Sequence, residues 1–218
     1  DIVKKTESSK KPLSLFTVET GHSTTMERRL IRKDGTSFPS EISANKLPDG
    51  RLQGMFRDIT DRRREQDAQE RQLKELSVLH ALALAGTRAG NEDELIEQAT
   101  EIISFTLYPD ILGIILVTEN GESYYPHPTC RGISDPGRMR NYHIQEGVIG
   151  QVITTGKAIN IRDVKSDENY IQVNPKSASE LCAPMTIGER VIGAINVEST
   201  HEGFFTAEDE RLLLTIAG

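Results

Sequence analysis

The sequence predicts an α+β fold, an antiparallel sheet with helices on one face, preceded by a smaller partial sheet and a linker helix. Three observations carry this reading. Within residues 88–218 the strand-like runs lie between helical patterns at both ends. Asp34-Gly35 and Asn120-Gly121 each sit between extended runs, the strongest short hairpin signal. Residues 61–85 contain neither Pro nor Gly and are rich in Arg, Glu, Gln, Leu and Ala, all good helix formers.

The elements follow in order. Residues 1–12, rich in Lys and Ser, read as loose chain. Residues 23–31 and 37–44 form a hairpin about the turn at 32–36, with Phe38, Ile42 and Ala44 in partial alternation. Pro48-Asp49-Gly50-Arg51 turns the chain into a third strand, Leu52 to Ile59. Three such strands form a one-sided sheet that needs a cover. Ile59, Arg63, Gln66, Gln69, Leu73, Leu76, His80 and Ala83 then recur at three- and four-residue steps. They make a heptad-like stripe, polar in its first half and apolar in its second.

Gly86 and Gly90 are expected to break that helix. Asn91 and Glu94 resemble a capping box for the next one, whose apolar face is Leu95, Ala99, Ile102, Ile103 and Leu107, and Pro109 ends it. Ile111 to Val117 is an apolar strand. Residues 122–139 hold three of the nine prolines and resist assignment. A short strand at 142–144, a helix at 147–155 closed by Gly156, and a strand at 158–161 follow. A polar loop with short helical turns covers 163–178. Residues 180–187 and 191–197 read as a hairpin of half-buried strands, and Thr206 with Asp209 caps a final helix bearing Leu212, Leu213 and Ile216.

Charge and cysteine content narrow the function. The chain has 218 residues and a net charge of −7. Residues 1–70 carry 14 basic and 12 acidic side chains, and the rest carry 12 and 21. The acidic downstream part lacks the clustered cations of a nucleic-acid site. Arg62-Arg63-Arg64, followed by Glu65, Asp67 and Glu70, reads as a helix face laced with ion pairs. No apolar run reaches ~18 residues, so no membrane span is expected, nor is there a signal-peptide pattern. Cys130 and Cys182 form no CxxC, and the five histidines show no ligand spacing. Neither a disulfide framework nor a metal site is predicted, and a reducing, cytoplasmic setting is. The missing initiator Met, and an end inside a helical pattern, read as a piece of a longer chain.

Two family resemblances emerge. The hairpin Arg32-Lys33-Asp34-Gly35-Thr36 and the ending Arg57-Asp58-Ile59-Thr60-Asp61-Arg62 resemble the last three strands of a PAS domain. That resemblance implies a partial PAS domain at residues 1–60, with an Asp-Ile-Thr exit into a signalling helix at 61–85. Asp58 is expected to pair with Arg62 one helical turn on, and Thr60 to cap the helix, which ties the strand to the helix. Downstream, GVIGQVITTGKAINIRDV (147–164), SELCAPMTIGERVIGAINVES (179–199) and Phe205-Thr206-Ala207-Glu208-Asp209-Glu210 resemble a GAF domain, here placed at 86–218. The resemblance implies a small-molecule pocket between the sheet and its covering loops. Tyr142, Tyr170, Glu180, Asn196 and Glu198 are the candidate ligand-binding residues.

Other GAF chemistries fit less well. In free methionine-(R)-sulfoxide reductases the nucleophilic cysteine lies in the loop before the Ser-Glu strand, and residues 167–177 contain none. Glu180, Asn196 and Glu198 fall near that family's substrate-holding positions, but Cys182 reads as a small buried apolar residue. A bilin anchor is missing from the same region. Phe205, Asp209 and Glu210 match part of a cyclic-nucleotide pattern, whereas Glu198-Ser199-Thr200 lacks its Lys. His80 lacks the neighbouring acid or Asn of a phosphoacceptor and reads as a core or seam histidine. No catalytic residue is predicted and no cofactor is identified. The expectation is a sensory segment of a bacterial signalling protein, of the histidine kinase or cyclic-di-GMP enzyme type. It is expected to form a parallel homodimer through residues 61–85 and the terminal helix.

Overall fold

The computed structural model describes residues 24–108 and 110–218. The expectations for residues 1–12, Ser23 and Pro109 lie outside them. The chain divides into two compact units that part between Leu73 and Lys74.

In the first unit, β1 (Thr24–Ile31), β2 (Ser37–Lys46) and β3 (Leu52–Asp58) form an antiparallel meander in the order β1-β2-β3. Asp34 fixes the first turn by accepting the Thr36 N–H and hydroxyl at 2.9 and 2.6 Å. The period-2 pattern of β2 places Phe38, Ser40 and Ile42 on its buried side, where Leu30 joins Phe38 and Ile42 in a small core. Met55 and Phe56 on β3 remain exposed.

Helix α1 (Thr60–Arg88) is longer than expected, because Gly86 lies inside it. Ala89 still donates to the Ala85 carbonyl at 2.9 Å, and Ala85 is buried. One glycine costs only about 1 kcal/mol against alanine, too little to undo an anchored turn. In the second unit α1 turns Val78 and Ala85 inward, with Leu82 packed against the core. The heptad-like stripe points elsewhere. Leu73 and Leu76 are 66 % and 56 % exposed, and His80 is exposed rather than a core residue. Val78 and Leu76 are two positions apart, about 200° around the helix, so packing and the stripe use different faces.

Helix α2 (Glu92–Thr106) is capped by Asn91, whose side chain accepts the Glu94 N–H at 2.9 Å. Glu94 reaches back to the N–H of Gly90 at 2.8 Å, one residue earlier than a capping box requires. The strands are β4 (Ile111–Val117), β5 (Ser123–Pro126), β6 (Tyr142–His143), β7 (Ile159–Ile161), β8 (Ser179–Ile187) and β9 (Arg190–Ser199). They pair antiparallel in the order β6-β5-β4-β9-β8-β7. β5 falls in the unassigned segment. Helix α3 (Gly147–Thr155) ends, as expected, at Gly156, whose φ of 65° is the left-handed conformation glycine takes without strain. Helix α4 (Ala207–Ala217) begins with the expected capping box of Thr206 and Asp209.

The sheet is apolar on both faces. Leu112, Leu181, Ala183, Ile195 and Val197 meet Ile103, Leu213 and Phe205 on the side of α1, α2 and α4. Ile115, Cys182 and Ala194 meet Val148 and Val152 of α3 on the other. Thus three helices share one face, and α3, with Val148 and Val152 one turn apart, covers part of the opposite one. β8 and β9 are consequently buried on both sides rather than half-buried. β9 also runs two residues past Val197, which decides the geometry of the site.

Candidate functional site

The site begins with sheet register. In the β8–β9 hairpin Glu180 lies directly opposite Glu198, and Cys182 opposite Asn196. Alternation sends Glu180, Asn196 and Glu198 to the α3 face. In the β4–β9 pair Gly113 lies opposite Asn196, so β4 carries no side chain beside that amide. The hollow becomes a cavity of about 50 Å³. Ile111, Gly113 and Ile115 form its floor with the three polar residues, and Tyr124, Tyr142 and Val148 form its wall. Ile171 and Val173 of the 163–178 loop, with Ile133, close it, and Arg138 and Cys130 also line it. A water needs roughly 10–15 Å³ of such space, so the cavity admits several waters or a small ligand.

Glu180, Asn196 and Glu198 are 3 %, 5 % and 2 % exposed. The Tyr170 hydroxyl donates to Glu198 Oε2 at 2.9 Å, and Asn196 Nδ2 to Glu198 Oε1 at 3.4 Å. Glu180 Oε2 and Asn196 Oδ1 have no hydrogen-bond partner. Among the described residues neither carboxyl has an ion-pair partner. Burial pushes the Glu180 carboxyl well above the usual carboxylate range, and the Glu198 carboxyl opposite adds to it. Burial also raises Glu198, offset in part by hydrogen bonds including those from Tyr170 and Asn196. Both unpartnered atoms are oxygens, the amide one an acceptor and the carboxyl one an acceptor when ionised, so the cavity presents oxygen to whatever fills it.

The five candidates therefore share one neighbourhood. Tyr142 stacks on Tyr124 with ring centres 5.3 Å apart, and its hydroxyl donates to the Arg138 carbonyl at 2.9 Å. Tyr170 reaches in from the covering loop. Sequence reasoning missed Tyr124, Cys130 and Arg138, all in the unassigned Pro-rich segment, and Gly113, whose role appears only once strands pair. The thiols are poorly placed for nucleophilic work. Burial raises Cys130 to about 11, and Cys182, fully buried, is raised as well.

At the strand-to-helix joint of the first unit, the expected contacts are replaced. Asp58 pairs with Arg32 at 2.6 Å, not with Arg62. Thr60 is not the capping acceptor. Its N–H and hydroxyl donate to Asp58 Oδ1 at 2.9 and 2.6 Å, and these bonds, with Arg32, hold the Asp58 carboxyl down at about 2. Arg62 pairs with Glu27 at 2.7 Å and Glu41 at 3.6 Å, and Arg63 also meets Glu27. The acids that β1 and β2 present outweigh the intrahelical partners Glu65, Asp67 and Glu70, because one carboxylate there serves two guanidinium groups.

An antiparallel sheet with helices on one face and a loop-covered cavity with buried polar groups on the other defines a class of ligand-cupping α+β domains. The chain belongs to the GAF domain family, whose pattern it matches over residues 89–218. GAF is a sensory fold. Over 115 residues the chain is 32 % identical to the Caenorhabditis elegans protein named "Probable 3',5'-cyclic phosphodiesterase pde-5", covering 46 % of this chain and 16 % of that one. Over 68 residues it is 31 % identical to the free methionine-R-sulfoxide reductase of Escherichia coli, covering 31 % and 41 %. The chain thus spans less than half the length of either relative. Among solved structures, the Neisseria meningitidis free methionine-R-sulfoxide reductase in complex with its substrate shares the fold, with a TM-score of 0.57 and 18 % identity over 64 % of this chain and 81 % of that one. The GAF domain of an Acinetobacter phosphoenolpyruvate-protein phosphotransferase also has a TM-score of 0.57 and 18 % identity, over 66 % and 88 %. Among the described residues no helix is long and apolar enough to cross a membrane.

Proposed function

We propose that the chain is a sensory segment of a bacterial cytoplasmic signalling protein. In this reading residues 1–60 are the end of a PAS domain, 61–85 a signalling helix and 86–218 a GAF domain that binds a small molecule. The observation that carries the binding role is the loop-covered cavity, with two buried oxygen atoms left unpartnered. Buried polar groups are ordinarily satisfied, so such a pair marks a place for a ligand. A bound molecule would act mechanically. It would shift the loops over the cavity and the sheet beneath, and the helices on the far face would follow.

The exposed stripe supports dimerisation through α1. Leu73, Leu76, His80 and Ala83 follow a heptad spacing and lie outside the core, and Leu214 of α4 is also exposed. Sedimentation of the whole chain at high concentration is expected to give a dimer. Leu73→Glu with Leu76→Glu is expected to give a folded monomer, and a monomeric wild type would contradict the dimer.

The sulfoxide reductase likeness offers a second reading, supported by Glu180, Asn196 and Glu198. Attack on sulfur needs a thiolate, and neither cysteine provides one near neutral pH. Incubation with free methionine-R-sulfoxide and dithiothreitol is expected to yield no methionine above the thiol blank. Turnover abolished by Cys130→Ser or Cys182→Ser would reverse the ranking. A cyclic nucleotide is disfavoured by the size of the cavity, since drug-sized ligands occupy roughly 300–1,000 Å³, and by carboxyls where a phosphate would need cations.

A further inference from the structure

The occupant's chemistry follows from what the cavity offers, given that it is a ligand site. Its unpartnered buried atoms are the amide oxygen Asn196 Oδ1, which accepts, and Glu180 Oε2, which accepts once that carboxyl is ionised. The second carboxyl, Glu198, is directly across the strand from Glu180. Around them the surface is hydrocarbon from Ile111, Ile115 and Val148. A neutral apolar molecule would leave the buried amide oxygen without a partner and the remaining carboxylate without a counter-charge. An anion would meet two carboxyls. A cation with several N–H bonds and a short apolar body satisfies the oxygens and the walls together. We propose that the cavity holds a small monoammonium ion, its N–H groups on Glu180, Glu198 and Asn196, and that its arrival expels one proton from the acid pair.

The proton follows from the same geometry. Two buried carboxyls facing each other across a strand pair resist ionising together, so the pair retains a proton. An ammonium ion supplies the missing positive charge. Glu180 loses its O–H proton to solvent, the ligand stays protonated, and the charge in the cavity is conserved. No other group nearby takes over this exchange. Burial raises the Tyr124 and Tyr170 hydroxyls, so both stay protonated donors. The thiols of Cys130 and Cys182 are raised too. Asp167 on the covering loop adds negative charge and disfavours ionisation of Glu180 further. Among the described residues Arg138 is the one cation lining the cavity. Its charge opposes a dication and so favours a single ammonium group.

The test is calorimetric titration of the whole chain with n-propylammonium, 1-propanol and propionate. It is run at pH 6, 7 and 8, in two buffers of different ionisation enthalpy to count protons. The expected result is binding of propylammonium alone, with proton release and an affinity that rises with pH. Glu180→Gln, a near-isostere, should weaken binding at least tenfold and abolish the proton release. Its far-ultraviolet circular dichroism should match wild type. Binding of propanol or propionate as tight as that of the ammonium would overturn the inference while leaving the ligand-site reading intact. So would ammonium binding without proton exchange. Binding of none of the three would remove both.

Discussion

The downstream unit will lose stability as pH rises above about 5, and Glu180→Gln will remove most of that loss. Glu180 is buried opposite Glu198, and its carboxyl lies well above the ordinary range in the folded chain. In the unfolded chain it titrates near the usual 4.5. Below that pH both states hold the proton, and the folded state keeps its full advantage. Above it the unfolded state releases the proton first, so stability falls by about 1.4 kcal/mol per pH unit until the folded carboxyl also ionises. Glutamine keeps the shape and cannot ionise, and it relieves Glu198 of a facing charge. Urea unfolding followed by circular dichroism at half-unit pH steps measures this. A wild-type profile that is flat over this range, or a variant with the same slope, would count against a buried acid pair.

Gly193→Ala will cost about 3 kcal/mol or more and uncouple β4 from β9, whereas Gly86→Ala will stabilise the protein by about 1 kcal/mol. Gly193 faces Leu116 across the central strand pair. A Cβ there would run into the Ile115 carbonyl oxygen and come within 2.7 Å of the Met185 methyl carbon. The carbonyl belongs to a strand held from both sides, so the clash is relieved only by parting the sheet that forms the cavity floor. At Gly86 a Cβ meets nothing within 4 Å, and the residue is exposed within α1. The two substitutions are the same chemically and opposite in expected sign. Paired urea midpoints check them, and a loss under 1 kcal/mol at Gly193 would contradict the packing described.

The fold was legible where a local rule acts alone. Asp34-Gly35, Asn120-Gly121, Gly156 and the Thr206–Asp209 box each fix a turn or helix end by their own backbone chemistry, and each lies where expected. The sequence misled where distant partners compete with local ones. Asp58 prefers Arg32, brought beside it by the meander, to Arg62 one turn away. Gly86 stays helical because Ala85 is anchored in the core. Of the site, the polar residues were visible through a family resemblance. Their arrangement was not, because it depends on pairing. Glu198 lies just past the strand end expected at Val197, yet β9 continues through it and sets it opposite Glu180. Gly113 lies within the expected apolar strand Ile111 to Val117, and only its register against Asn196 makes it the hollow of the cavity.

The pH profile of stability and the chemistry of the ligand both turn on the state of two carboxyls. Carbon-13 spectra of the glutamate side-chain carboxyls, recorded on the whole chain between pH 4 and 9, report it directly, with Glu180→Gln and Glu198→Gln providing the assignments. The account predicts that the Glu180 carboxyl carbon keeps its protonated shift at neutral pH and moves toward the ionised shift when propylammonium is added. Glu180 and Glu198 both titrating as ordinary surface glutamates, with no response to the amine, would contradict it.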